Sequence, residues 1–75
     1  MGHLKVSHVA ARAGVFPSTV RYYMKLGLVH PLGTTPGGYS LFDESAITRV
    51  AEIRRLQKDE RLTLEEIAGR LNPAA

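Results

Sequence analysis

Phe16-Pro-Ser-Thr-Val-Arg-Tyr-Tyr-Met-Lys-Leu-Gly27 is the stretch on which the reading of this chain turns. Pro17 suits the first turn of a helix, because its fixed φ is already helical and its missing N–H has no partner to lose there. At helical spacing Ser18, Arg21, Tyr22 and Lys25 share one face, the i, i+3, i+4, i+7 pattern, while Val20, Tyr23 and Met24 fall on the other. One side is apolar enough to face a core. The other offers two cations, a phenol and a hydroxyl with no acid among them, a set suited to phosphates and base edges.

Immediately before this helix, Val6, Val9, Ala10 and Ala13 repeat with the same spacing and predict a short amphipathic helix. Ser7 is placed to cap its start and Gly14 to end it in a left-handed conformation. Two short helices joined by Gly14-Val15-Phe16 read as a helix-turn-helix over about residues 6–27. Phe16 stands where a Ser, Thr or Asp cap would normally precede Pro17 and cannot accept the free amides of the first turn. Its ring is expected to pack into the core over the turn. Met1 to Lys5 reads as a frayed lead-in.

After Gly27 the pattern changes, and about residues 28–42 read as a hairpin wing. Leu28-Val29 and Tyr39-Ser40-Leu41-Phe42 favour strand, with the turn-rich Gly33-Thr-Thr-Pro-Gly-Gly38 between them. Glycine-rich loops are common, and it is the position of this acid-free tip, directly after the cationic helix, that gives it weight. Its backbone amides and the Tyr39 hydroxyl suit phosphate contacts. Two further helices fill about residues 43–71. Asp43 is the expected cap of the third, with Ile47, Val50, Ala51, Ile53 and Leu56 as its apolar stripe. Thr63-Leu-Glu-Glu66 is a capping box opening the fourth, with Leu64, Ile67, Ala68 and Leu71 on its buried side, and Asn72-Pro73 stops it. The fold class is therefore mainly α: a winged helix-turn-helix of four helices and a two-stranded hairpin in a single domain over residues 1–75.

Composition narrows the function. The chain has 75 residues, no cysteine and a net charge of +3. Residues 1–42 carry Lys5, Arg12, Arg21 and Lys25 and no acid, whereas residues 43–75 carry six basic and seven acidic side chains. Cations without intrachain partners in the first half point to a polyanion. Disulfide and thiolate-metal chemistry are excluded, and His3, His8 and His30 are too scattered for a zinc site, so neither metal nor cofactor is expected. No apolar run nears the roughly 18 residues of a membrane span and no signal-peptide pattern opens the chain, which makes the cytoplasm the expected location. No histidine is paired with a nucleophile, no phosphate-binding loop is present, and Glu65 and Glu66 are explained as helix-start acids. An enzyme with catalytic residues is not expected.

The run Val6-Ser-His-Val-Ala-Ala-Arg-Ala-Gly-Val15, then Thr19-Val-Arg-Tyr-Tyr23, Gly27-Leu28, Gly38-Tyr39-Ser-Leu-Phe42 and Leu64-Glu-Glu-Ile67, resembles the MerR family of bacterial transcription regulators from about Lys5 to Leu71. The resemblance implies sequence-specific binding of double-stranded promoter DNA, with the second helix in the major groove and the wing on the phosphate backbone. It further implies contacts from Arg21, Tyr22 and Tyr23, a wing at Gly37 to Phe42, and a second wing from the third and fourth helices in which Arg49 matches a recurrent arginine. Family members act as homodimers through a long C-terminal helix, so a homodimer is the expectation for a full-length form in which that helix follows these 75 residues. Ser40 stands where an arginine is usual, which removes a cation from the wing, and Arg61 stands where a glycine is usual. The candidate DNA-contacting set is thus Lys5, Arg12, Ser18, Thr19, Arg21, Tyr22, Tyr23, Lys25, Gly38, Tyr39, Ser40 and Arg49. Two other readings are an excisionase-like architectural role on DNA, and a protein-recognition module whose basic helix docks an acidic antirepressor or chaperone.

Overall fold

The computed structural model describes residues 3–71. Element order is α1 (Val6–Ala13), α2 (Pro17–Lys25), β1 (Gly33–Thr34), β2 (Ser40–Leu41), α3 (Ser45–Asp59) and α4 (Leu64–Leu71). It is the winged helix-turn-helix expected from the sequence, with β1 and β2 antiparallel in the register Gly33 to Leu41 and Thr34 to Ser40. Asn72-Pro73 lies outside the described residues.

α1 and α2 pack together because the facing side of α1 is small: Val9 and Ala10 are buried, and Val6 and Ala13 pack at the core's edge. Gly14 ends α1 at φ 74. This left-handed turn lets the Val15 amide reach back to the Ala10 carbonyl at 2.9 Å, satisfying a carbonyl that the helix end leaves open. α3 is the spine. Ala46, Val50, Ile53 and Leu56 are buried along it and meet Ile67 of α4 in the same core. Glu44 holds the cap position of α3, and just before it the Asp43 carboxylate accepts the Ser45 amide at 3.0 Å. The Thr63 capping box forms in both directions, Thr63 N–H to Glu66 Oε1 at 2.9 Å and Glu66 N–H to Thr63 Oγ1 at 3.1 Å. The Thr63 amide also holds the Glu66 carboxyl below its usual pKa.

Five local expectations are corrected. Residues Leu4 and Lys5 are not a frayed lead-in, because Leu4 pairs with Phe42 through reciprocal backbone bonds of 2.7 Å. Pinned there, the chain enters α1 two residues earlier than a Ser7 cap would give, so Lys5 rather than Ser7 occupies the cap position and His8 Nδ1 accepts the Lys5 amide at 3.3 Å. Leu28-Val29 is not a strand. Both side chains are buried and the Leu28 amide bonds back to Tyr23 O at 2.9 Å, so the first wing strand starts later, at Gly33. Along α3 the buried stripe is Ala46, Val50, Ile53 and Leu56, spaced at four and three residues, and Ala51, one position past Val50, turns out of that arc and is exposed.

The fifth correction is Phe16, whose ring is 76% exposed instead of covering the turn. Proline holds the residue before it extended, and Phe16 sits at φ −80, ψ 150. Side chains of an extended segment alternate, so with Val15 packed inward Phe16 points out. It makes no side-chain cap for α2. Phe16→Ser is accordingly expected to stabilise the chain by about 1 kcal/mol, the usual worth of an N-cap. A urea denaturation midpoint that fails to rise would show that α2 is already satisfied at its start.

Candidate nucleic-acid interface

α2 presents four sides, and each meets something different. Val20 and Tyr23 are buried. Tyr23 is only 3% exposed and its hydroxyl donates to Gln57 Oε1 of α3 at 2.8 Å. Burial pushes its pKa above the ordinary phenol value, against the opposing pull of Arg54. Tyr23 therefore anchors α2 to α3 and does not offer its ring to an outside ligand. Opposite the core, Ser18, Arg21, Tyr22 and Lys25 are all exposed, as the spacing predicted, with Tyr22 at 52%. Thr19 is half-buried and its amide donates to the Phe16 carbonyl at 2.9 Å. Among the described residues Arg21 and Lys25 meet no acid within ion-pair distance.

The wing lies against the Arg21–Met24 side. Between them runs a cleft of about 330 Å³ lined by Lys5, Val6, Ser7, Arg21, Met24, Gly38, Tyr39 and Ser40. The Lys5 ammonium sits 4.9 Å over the Tyr39 ring centroid, an arrangement in which the ring's negative face steadies the cation. The tip itself is a tight turn: Gly38 N–H donates to Thr35 O at 2.9 Å and Tyr39 N–H to Thr35 Oγ1 at 3.1 Å. Gly38 follows the turn at φ 87, a left-handed position that a side chain would strain. Those two amides are engaged inside the turn, and the Tyr39 ring beside them is 60% exposed.

On its far flank, through Tyr22 and Leu26, α2 faces the start of α4. A groove of about 340 Å³ there is lined by Tyr22, Leu26, Thr63, Leu64, Glu65 and Ala68. The exposed ridge of α2 is thus bracketed by the hairpin on one side and by the α3–α4 turn on the other.

Of the sequence candidates, Lys5, Arg21, Gly38, Tyr39 and Ser40 come together in the wing cleft, and Ser18, Tyr22 and Lys25 continue the surface along α2. Arg12 does not join them. It lies on the outer face of α1 with His3, His8 and Ala11. Arg49 is drawn into a supporting bond, its Nε donating to Leu28 O at 2.8 Å, which ties α3 to the segment leaving α2. Sequence reasoning missed Ser7, which faces the cleft instead of capping α1, and Gln57, whose partner is 34 residues away and leaves no local signal.

Residues 4–72 match the family described as the MerR HTH family regulatory protein. The HTH-type transcriptional regulator MerD of Pseudomonas fluorescens is 44% identical over 54 residues, covering 72% of this chain and 98% of that one. MerD of Pseudomonas aeruginosa is 44% identical over the same share of this chain but only 45% of its own length. The regulator CueR of Bacillus subtilis is 40% identical over 67 residues, 89% of this chain and 46% of CueR. This chain therefore spans about half the length of several relatives it matches. Among solved structures, the transcription regulator PbrR691 of Ralstonia metallidurans, determined with lead(II), superposes with a TM-score of 0.80 at 30% identity over 92% of this chain and 53% of its own. The fold is also that of HiNmlR, a MerR family regulator bound to promoter DNA, with a TM-score of 0.74 at 23% identity over 88% of this chain and 52% of its own. These relatives are transcription regulators, not enzymes. The chain belongs to the MerR family of helix-turn-helix regulators.

Proposed function

We propose that this chain binds double-stranded promoter DNA sequence-specifically, with α2 in the major groove and the β1–β2 wing on the phosphate backbone. The observation that carries the reading is the exposed, acid-free ridge Ser18–Arg21–Tyr22–Lys25 continuing into a wing cleft that adds Lys5 and Tyr39. An α-helix fits the major groove, where arginine reads guanine edges and shorter polar groups contact backbone or bases. In this arrangement Arg21 specifies, Lys25 and Lys5 meet phosphates, and Tyr23 and Arg49 position α2 without touching DNA. HiNmlR, which shares the fold, is bound to promoter DNA, which supports duplex DNA as the partner. Pairing of two such modules through a C-terminal helix, as the resemblance implies, would match a near-palindromic site.

The test is amide NMR during titration with a mixed-sequence duplex at two salt concentrations. Salt-sensitive shifts confined to residues 17–25 and the 33–40 tip are expected, because backbone contacts release counterions. No shifts at either salt in a folded chain would overturn the reading and favour a protein partner. Lys25→Ala is expected to weaken binding evenly across sequences and to reduce the salt slope by about one. A change in sequence preference instead would assign Lys25 to base readout.

A further inference from the structure

Phe16 is the most exposed large apolar side chain among the described residues, at 76%. A single apolar residue on a surface is ordinary. This one stands at the cap position of α2, where a Ser, Thr, Asp or Asn would accept an amide of the first turn. The ring is unfavourable there in two ways, because the cap bond is missing and the ring stays in water. It is also held in place. Pro17 keeps Phe16 extended, and the Phe16 carbonyl accepts the Thr19 amide at 2.9 Å and the Val20 amide at 3.4 Å. The backbone under the ring is thus fixed to α2, and only side-chain rotation remains to be lost when the ring meets a partner.

The position is one from which bases are read. In helix-turn-helix docking the N-terminal residues of the second helix contact base edges in the major groove. Behind Phe16 the ridge Ser18, Arg21, Tyr22 and Lys25 offers hydroxyls and cations, which suit hydrogen-bonding edges and phosphates. The major groove also displays an apolar group, the 5-methyl of thymine, and phenylalanine is among the side chains that pack on it. The other exposed aromatics lie to the sides, Tyr22 in the groove toward α4 and Tyr39 in the wing cleft. No acid stands in the first turn of α2 to repel a duplex from this end. We infer that Phe16 is a base-reading residue whose ring packs on the 5-methyl group of a thymine in the major groove. The inference rests on the DNA-binding reading above and adds an apolar element of sequence preference to it. Such a contact releases no counterion, so it leaves the salt dependence to the cations.

The experiment measures fluorescence anisotropy with a duplex enriched by this chain from a random pool, and with the same duplex after each thymine in turn is replaced by uracil. That replacement removes the 5-methyl group and keeps every hydrogen-bonding edge. One replacement is expected to weaken wild-type binding about fourfold, the worth of one buried methyl group. Phe16→Ser, which is expected to fold at least as stably as wild type, should bind the thymine and uracil forms equally. Phe16→Leu keeps an apolar side chain and should remain sensitive to the replacement. Wild-type indifference to every replacement would overturn the inference and leave DNA binding standing. Equal sensitivity of Phe16→Ser and wild type would trace the effect to duplex shape and overturn it as well. Failure of the folded wild-type chain to bind any duplex would overturn the DNA reading itself, and this inference with it.

Discussion

Phe42→Ala is expected to leave the chain mostly unfolded or to lower its urea midpoint drastically. Phe42 is fully buried, and it is among the largest of the enclosed side chains. Removing a buried phenylalanine ring costs about 3–5 kcal/mol, the lost transfer energy plus a cavity that neighbours only partly fill. A domain of this length holds roughly 4–11 kcal/mol in total, so the substitution consumes a large part of it. The damage also has a direction. Phe42 follows β2 and bonds to Leu4 on both sides of its backbone, so it joins the wing, the entry to α1 and the core at one point. Phe42→Leu keeps much of the volume and should fold. An unchanged midpoint in Phe42→Ala would mean that the wing and the helical core are stabilised separately.

The helices were legible in the sequence because their signals are local. The Thr63–Glu66 box and the left-handed Gly14 each rest on residues within a few positions of one another, and each formed, while the Asp43 carboxylate bonds the Ser45 amide one residue ahead of the Glu44 cap position. The wing was legible only as a wing. Leu28-Val29 has the composition of a strand, but a buried linker has the same composition, and only the packing against the core distinguishes them. The Leu4–Phe42 bridge and the Tyr23–Gln57 bond join residues far apart in sequence and could not be read from spacing at all.

The same division runs through the candidate site. Helical periodicity sorted Ser18, Arg21, Tyr22 and Lys25 from the core side of α2, and the exposures agree. Periodicity also put Tyr23 on the core side, whereas the family resemblance counted it among the contacts. The buried ring and its bond to Gln57 favour the periodicity. Arg49 shows a similar tension: a cation whose charge alone suggests phosphate, but whose Nε supports the Leu28 carbonyl. Charge marks candidates, and hydrogen-bonding geometry separates those that face outward from those that hold the frame.

Arg21→Ala is expected to reduce binding to a selected duplex by about 10- to 100-fold while leaving Tm nearly unchanged. Arg21 stands where the exposed ridge of α2 meets the wing cleft, so it is the cation that both surfaces share. A bidentate arginine–guanine contact discriminates by about 1–3 kcal/mol against the wrong base, which corresponds to this range. A lysine there would keep the charge but lose the planar fork, so Arg21→Lys should retain binding to mixed-sequence DNA while losing preference for the selected site. The ordinary alternative is an arginine that serves folding through an ion pair. Residues 1–42 contain no acid, and none of the ion pairs among the described residues includes Arg21. Removing it therefore breaks no internal partner, and substitutions of that kind usually shift stability by no more than about 0.5 kcal/mol. The measurement is anisotropy on the selected and mixed duplexes in parallel. Equal affinity of Arg21→Ala and wild type for the selected duplex would remove α2 from base readout, because no other exposed residue of that helix carries a guanidinium.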